Sequence, residues 1–276
     1  MGAASVSWGQ RFAHLRQGLD ELSDRDLQSL LLEVFAQRVP APERLLQRCR
    51  ESRFVQPSPL DVRKSTRLLA LAWELLPETF EAIELSPLAP LGTCAGLATV
   101  SQNKVVSTGR NCEVSADPSP MLAMQCARRK GPVDLAAWQR VVRAQALPPG
   151  PGYYAHFGIF SLVSAGRQGF EALALRRHWR FYQAFLQRAV PGARVEIRLT
   201  DWDGLAEQLQ GETFLTDPER VSGRGYYLRA CFKIHVNGVE IGDGGFTDWM
   251  ARLRSDRREA FLSSGLGWER LVALAT

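Results

Sequence analysis

Two glycine-rich segments in the last third of the chain hold the residues best suited to ligand chemistry. The segment GDGGFTDW (242–249) contains three glycines and two aspartates, and SSGLGWERL (263–271) places Gly265 and Gly267 ahead of Arg270. Glycine lets a backbone approach a ligand closely, and arginine binds anionic groups through several donors. A tight turn explains each glycine cluster about as well. The sequence contains neither the dinucleotide pattern G-x-G-x-x-G nor the phosphate loop G-x-x-x-x-G-K-[ST].

Strands must position these segments, and the clearest strand signal is a hairpin over residues 227–241. Its central Asn-Gly pair is typical of a two-residue turn, which sets His235 opposite Glu240 and Ile234 opposite Ile241. We expect His235 to lie on the outer face as a polar partner of Glu240. In this interpretation GDGGFTDW begins just after the second strand ends.

Apolar residues that recur three or four positions apart predict several helices. The pattern covers residues 8–50, with breaks, and is strong over Asp61 to Leu76 and over 170–189. Shorter helices are expected over Met121 to Arg129 and Leu135 to Gln139.

Strands are expected between these helices. Lys104 to Ser107 and Glu113 to Ala116 read as two strands around a turn. Gln139 to Gln145 and Phe157 to Val163 read as the two arms of a long hairpin with a Pro/Gly loop, and Ala193 to Leu199 alternates as a half-buried strand does.

Composition narrows the class of protein. The chain has 276 residues, of which 45% are hydrophobic and 23% charged, as in ordinary globular proteins. The 34 Lys and Arg exceed the 29 Asp and Glu, but the excess is nearly all arginine spread along the chain, which favours anionic ligands over a dedicated nucleic-acid stripe. Scattered cysteines without zinc-ligand spacing, no secretory signal and no long apolar run predict a cytoplasmic protein without a metal site or membrane contact.

Five segments, in order within residues 60–275, resemble the catalytic core of class II aminoacyl-tRNA synthetases, above all histidyl-tRNA synthetase and its non-synthetase relatives. NCEVSADPSPMLAMQCAR (111–128) is similar to the family's strand, turn and alanine-rich helix. RVVRAQ, its loop and YYAHF (140–157) resemble the long hairpin called motif 2, and GRGYYLRACFKI (223–234) resembles the Tyr-Tyr segment. GDGGFTDW is similar to the Gly-Gly-Arg-Tyr-Asp segment, and SGLGWERL is similar to motif 3.

The resemblance implies sites for ATP, Mg²⁺ and a small carboxylate substrate. It places Arg143 on the α-phosphate, Arg270 on the adenine or the γ-phosphate, and Asp117 on a substrate ammonium group. The other residues implied for the nucleotide are Gln145, His156, Gly265 and Gly267, and those for the substrate are Ser119, Arg167, Tyr227, Gly244, Gly245 and Asp248.

Three of these residues have equally simple structural interpretations. His156 reads as a loop-end histidine packed on Phe157, Ser119 as a cap of the helix that follows it, and Arg167 as part of a surface turn.

The sequence departs from the histidine enzymes around the substrate site. Gln145 stands where motif 2 carries Glu, and Ile159 and Val163 stand where that family has Gln and Glu. Ser222 and Phe246 replace two arginines of the family. These replacements predict a ligand that is different from histidine and more apolar, with Val163 and Phe246 in the pocket.

Taken together, these observations predict an α+β fold, a mostly antiparallel sheet flanked by helices, with a helical N-terminal extension over 1–55 and a synthetase-like core over 56–276. No anticodon-binding domain is expected. The implied function is activation of an amino acid or other carboxylate as an acyl-adenylate by a homodimer. The alternatives are an inactive paralogue that serves a protein partner as a regulatory or sensor subunit, like the ATP phosphoribosyltransferase regulatory subunit, and a nucleic-acid-binding accessory protein.

Overall fold

A computed structural model describes residue 9, residues 12–146 and residues 154–275. The strands are β1 (Glu81–Ala82), β2 (Leu88–Pro90), β3 (Cys112–Val114), β4 (Val133–Val142), β5 (His156–Arg167), β6 (Val195–Asp201), β7 (Leu215–Thr216), β8 (Leu228–Val236), β9 (Val239–Thr247) and β10 (Glu259–Gly267). The α-helices are α1 (Ala13–Asp20), α2 (Asp24–Gln37), α3 (Pro42–Glu51), α4 (Val62–Leu75), α5 (Thr93–Leu97), α6 (Pro118–Ala127), α7 (Glu171–Ala189), α8 (Trp249–Arg254) and α9 (Trp268–Leu274).

Among the described residues, eight strands form one sheet in the spatial order β1-β4-β5-β10-β9-β8-β6-β7. The short edge strands β1 and β7 pair in parallel with β4 and β6, and the other neighbours are antiparallel. Helices flank this sheet, so the predicted α+β class with a mostly antiparallel sheet is confirmed.

One face of the sheet is covered by α4, α7 and α9. Helix α4 lies where the apolar spacing predicted a helix. The Asp61 side chain accepts the backbone N–H of Lys64 and caps the first turn, and Leu68 and Ala72 are buried against the sheet. Aromatic rings fill the space under α7 and α9, where Phe185 and Trp268 stack almost parallel with centroids 6.3 Å apart.

The second face is covered only in part, by α6 and α8. Leu122 of α6 and Trp249 of α8 join a separate apolar cluster with Leu135 and Phe261 of the sheet. β4 and β5 are therefore buried on both faces where α6 lies over them.

Burial on both faces explains why the helix predicted over Leu135 to Gln139 is wrong. These residues lie within β4, with Ala136 in the core under α7 and Leu135 and Ala137 in the cluster under α6. A continuous apolar run does not distinguish a buried strand from a helix. Lys104 to Ser107 is also no strand, since Gln102–Lys104 forms a 3₁₀ turn and Ser107 makes one isolated bridge.

The hairpin of β8 and β9 departs from its predicted geometry at a bulge. His235 pairs with Glu240 as expected, but Ile234 pairs with Gly242 rather than Ile241, because the register shifts between Ile234 and His235. The side chain of His235 is buried, although the sequence predicted it on the outer face of the hairpin. Glu240 instead accepts a hydrogen bond from Lys233 at 2.7 Å.

Helices α1, α2 and α3 contain no buried residues, and they carry exposed apolar side chains such as Leu15, Phe35 and Leu46. In the described ranges no helix has the length and apolar character needed to cross a membrane.

Candidate functional site

A cavity of about 390 Å³ lies on the part of the second face that α6 and α8 leave uncovered. The predicted site residues that line it are Asp117, Ser119, Arg143, Gln145, Tyr227, Gly265, Gly267 and Arg270. They come from the start of α6, the segment after β4, the segment before β8, and the junction of β10 with α9. The fold therefore brings distant parts of the chain to one cavity.

Arg143 follows β4 directly and its side chain is held in place. Its Nε donates to the carbonyl of Ala116 at 3.0 Å, and its Nη2 lies 3.3 Å from Oδ2 of Asp117. The guanidinium also sits over the ring of Phe157, 5.0 Å from the centroid. The Pro/Gly loop of the predicted hairpin continues into residues 147–153, outside the described residues.

Arg270 enters the cavity from the first turns of α9, and its Nη1 donates to the carbonyl of Glu240 at 3.0 Å. The preceding residue, Glu269, is buried and accepts the backbone N–H of Gly158 at 2.8 Å. Glu269 also pairs with Arg140 at 3.1 Å. These contacts fix the start of α9 against β4 and β5.

Asp117 caps α6 by accepting the backbone N–H of Ser119 at 2.8 Å. The interpretation of Ser119 as the cap is therefore wrong, because the carboxylate of Asp117, two residues earlier, takes that role. Asp117 faces the cavity with its other oxygen paired to Arg143. A ligand that enters here meets an ion pair rather than an isolated carboxylate.

Other predicted residues are not among the described residues that line the cavity. His156 is engaged elsewhere, with Nδ1 2.9 Å from Arg140 and Nε2 2.6 Å from the carbonyl of Gln56. Arg167 is exposed at the end of β5 and lies 3.5 Å from Asp256. Asp248 precedes α8 and lies 3.7 Å from Arg252.

Gly244 and Gly245 lie within β9 rather than after it, and the structure gives each a packing reason. A Cβ on Gly244 would fall 2.4 Å from Cβ of Ser264, and one on Gly245 would fall 2.5 Å from the ring of Tyr227. Glycine is needed at both positions for close approach of neighbouring residues. Neither glycine is found in the cavity lining.

The prediction of an apolar pocket built on Phe246 and Val163 is wrong. Phe246 belongs to the core under α7, and Val163 is fully buried beneath α6 and α8. Side chains alternate between the two faces of a strand, so the position of a residue in the segment does not place it in the pocket. The sheet residues that face the cavity include Ser161, Ser263 and Gly265, which are small and mostly polar.

Sequence reasoning missed Asp243, which lines the cavity from the middle of β9. The hydroxyl of Tyr227 donates to its Oδ2 at 3.3 Å, and Nη2 of Arg220 lies 3.7 Å from the same oxygen. Burial raises the pKa of this carboxyl above its ordinary value, and the negative charge of Asp117 adds to the rise. The β-bulge decides which face Asp243 occupies, and no sequence signal marks that bulge.

Two tyrosines complete this end of the cavity. Tyr226 and Tyr227 pack edge to face with centroids 4.8 Å apart. Burial raises the pKa of both hydroxyl groups, and the negative charges of Asp117 and Asp243 add to the rise, so both remain protonated donors at neutral pH. The structure shows no group of three or more His, Cys, Asp or Glu able to hold a metal ion within the part of the chain that it describes.

The described residues have an α+β fold similar to that of solved synthetase structures, as the resemblance predicted. The solved structures similar to it include an ATP phosphoribosyltransferase regulatory subunit/histidyl-tRNA synthetase from Bacillus halodurans C, with TM-score 0.65 and 14% identity over 82% of this chain and 83% of that one.

Two further solved structures share this fold. The histidyl-tRNA synthetase from Nostoc sp. PCC 7120 has TM-score 0.62 and 13% identity over 79% of this chain and 72% of that one. The RNA binding domain of threonyl-tRNA synthetase from Cryptosporidium parvum Iowa II has TM-score 0.63 and 10% identity over 79% of this chain and 64% of that one. No protein-family model and no curated protein matches the sequence.

Proposed function

We propose that this protein binds ATP in the cavity and uses it to activate a carboxylate, such as that of an amino acid, as an acyl-adenylate. The observation that carries the proposal is that Arg143 and Arg270, which are far apart in the chain, line one cavity above an antiparallel sheet. Nucleotide binding of this kind uses arginine side chains in place of a phosphate loop.

In the proposed reaction, a carboxylate oxygen of the substrate attacks the α-phosphorus of ATP and pyrophosphate leaves with the electrons of the broken bond. Arg143 would stabilise the negative charge that develops on the α-phosphate, because its guanidinium is already oriented by Ala116, Asp117 and Phe157. Arg270 would contact the adenine or the γ-phosphate. The reaction needs positioning and charge stabilisation rather than a covalent nucleophile.

Mg²⁺ enters this proposal with the nucleotide. Since no described group of residues forms a cage for a metal, the ion would be held mainly by phosphate oxygens, with a carboxylate of the cavity such as Glu240 as an added ligand. Its contribution when bound is to neutralise phosphate charge.

The second candidate function is that of a regulatory or sensor subunit that binds the same ligands without reaction. Two observations favour it. One similar structure is described as a regulatory subunit as well as a synthetase, and Asp117 already neutralises Arg143, so the arginine is not fully available to a phosphate.

In either function we propose that the protein is a homodimer. Sedimentation velocity over a range of protein concentrations tests this proposal.

The test combines amino-acid-dependent pyrophosphate exchange with calorimetric titration of ATP. We expect exchange with at least one of the twenty amino acids, and Arg143→Ala to reduce it by about a hundredfold or more, because one charge-stabilising donor group is lost. Arg143→Lys keeps the charge but not the forked geometry, and should lose about tenfold. Arg188→Ala, which removes an exposed arginine of α7 paired with Glu74, is the matched control and should leave exchange within about twofold of the parent.

The outcomes separate the candidates. Exchange that depends on Arg143 supports the enzyme, and ATP binding without exchange supports the sensor. Absence of ATP binding overturns both, and exchange that survives Arg143→Ala overturns the role given to Arg143.

A further inference from the structure

The end of the cavity formed by β5, β9 and β10 contains an unusual row of three residues. Asp243 of β9 is paired across the sheet with Gly265 of β10, and Gly265 is paired with Ser161 of β5. Residues in register on neighbouring strands point to the same face, and all three line the cavity. Since the middle residue has no side chain, a gap remains between the carboxylate of Asp243 and the hydroxyl of Ser161.

The width of this gap follows from strand spacing. Two inter-strand steps of about 4.8 Å separate the backbones of Asp243 and Ser161 by roughly 10 Å. A Cβ on Gly265 would fall 3.0 Å from Cγ2 of Ile159 and 3.4 Å from Oγ of Ser161, so even a methyl group would narrow the gap. The gap accommodates one small polar group of a ligand.

Polar atoms on both sides of the gap lack complete hydrogen bonding. The hydroxyl of Ser161 is buried and has no hydrogen-bond partner in the described structure. On the other side, the contacts from Tyr227 and Arg220 both reach Oδ2 of Asp243, and at 3.3 and 3.7 Å both are long. The hydroxyl of Ser161 is costly where it is buried without a partner, and the half-exposed carboxylate of Asp243 is open to the cavity, so the two groups favour a ligand that donates hydrogen bonds.

Charge selects the kind of donor. Arg143 and Arg270, the cationic side chains among the described residues that line the cavity, are assigned to the nucleotide in the proposed function, whereas Asp243 borders the gap. Arg220, with its side chain 4% exposed, lies behind Asp243 and does not line the cavity. A ligand therefore meets the carboxylate first, and an ammonium group suits this end better than an anion or an apolar group.

We propose that Asp243 is a specificity-determining residue and that the substrate is a carboxylic acid with an amino group at its far end, held between Asp243 and Ser161. This inference rests on the proposed function, because it takes the carboxylate end of the substrate to lie beside Arg143. It differs from the function proposed above in naming the class of substrate, a diamino acid.

The experiment is calorimetric titration of the full chain with L-lysine, L-ornithine and their amine-free controls L-norleucine and L-norvaline, each with and without ATP. The controls have carbon chains of the same length but lack the terminal amine. We expect at least one diamino acid to bind about tenfold or more tightly than its control, because a site built for a donor rejects a ligand without one. Asp243→Asn should remove this preference and leave the affinity for ATP within about twofold.

Asp20→Asn changes an exposed aspartate of α1 paired with Arg16 and is the matched control for the loss of one charge. Gly265→Ala is a second test that keeps every charge, and in titrations without ATP it should weaken binding of the diamino acid by narrowing the gap. Far-UV circular dichroism and thermal melting establish that each variant is folded.

The proposal is overturned if the amine-free control binds as tightly as the diamino acid, if Asp243→Asn leaves the preference intact, or if ATP binds and neither diamino acid does. A different result, the absence of ATP binding, would overturn the proposed function. Titrations without ATP still test Asp243 in that case.

Discussion

Single glycines decide how closely β9 packs against the segment before β8. Gly245 allows the ring of Tyr227 to lie against the strand, and this ring presents its hydroxyl to Asp243. A single missing Cβ therefore shapes the end of the cavity without touching a ligand.

We predict that Gly245→Ala destabilises the protein by about 1–3 kcal/mol, because the new Cβ would lie 2.5 Å from the ring of Tyr227 and 2.8 Å from Cβ of Cys231. Urea unfolding at neutral pH measures the change. Gly96→Ala is the control, since a Cβ there meets nothing within 4 Å and the residue lies in helix α5. It should raise stability by up to about 1 kcal/mol. Equal stability of the two variants would contradict the packing role of Gly245.

At the scale of elements, the start of α9 is fastened to the β4–β5 hairpin by Glu269. The carboxylate accepts the backbone N–H of Gly158 and pairs with Arg140, while Ser58 contributes a longer contact at 3.3 Å. Arg140 in turn contacts His156, whose ring reaches the carbonyl of Gln56. The segment before α4, the hairpin and α9 thus share one polar network beside the cavity.

We predict that Glu269→Ala lowers the free energy of unfolding by about 3–5 kcal/mol, because it leaves a buried backbone N–H and the partly buried Arg140 without their acceptor. Denaturant unfolding measures the loss. Glu74→Ala removes an exposed pair with Arg188 and should cost less than about 1 kcal/mol. A loss of similar size for both variants would show that the network does not fasten α9.

At the scale of the whole molecule, α7 is joined to the sheet by a buried hydrogen-bond network centred on His178. Its Nδ1 lies 2.7 Å from Oγ of Ser264 and its Nε2 lies 3.0 Å from Oγ of Ser164. Tyr182 also contacts Ser264, and Ser164 donates to Asp134 at 2.5 Å. The network lies on the face of the sheet opposite the cavity and links α7 to β4, β5 and β10.

We predict that this histidine makes the protein less stable in mild acid. Burial, and to a smaller extent the positive charge of Arg177, lower the pKa of His178 to about 3. Between about pH 6.5 and pH 3 the unfolded chain binds a proton that the folded chain does not, so the free energy of unfolding falls as the pH falls. The expected loss from this residue between pH 7 and pH 5 is about 2 kcal/mol.

Denaturant unfolding at pH 7 and pH 5 measures this loss, and the variant His178→Gln should show about 2 kcal/mol less pH dependence than the parent. The glutamine keeps a donor and an acceptor, which limits the damage to the network. His14→Gln, in the exposed helix α1, is the control and should retain the full dependence. A pH dependence that is the same in all three proteins would rule out His178 as its source.

The sequence by itself determined the elements whose signals are local. The helix after Asp61 begins at its cap and the helix over 170–189 follows its apolar spacing, as predicted. The order of five family-like segments also predicted the class of fold, and it selected Arg143 and Arg270 as partners in one cavity. Their roles in binding ATP stay predictions.

Tertiary structure alone decided which residues face the cavity. Side chains alternate along β9, so Phe246 points into the core. The bulge beside Ile234 sets the register of β9, and in this register Asp243 points into the cavity. Burial on both faces makes Leu135 to Gln139 a strand. His156 is drawn away by Arg140 and Gln56. Local sequence specifies which element a residue belongs to, whereas the face it occupies depends on strand register and on the layers packed above and below, and distant segments set both.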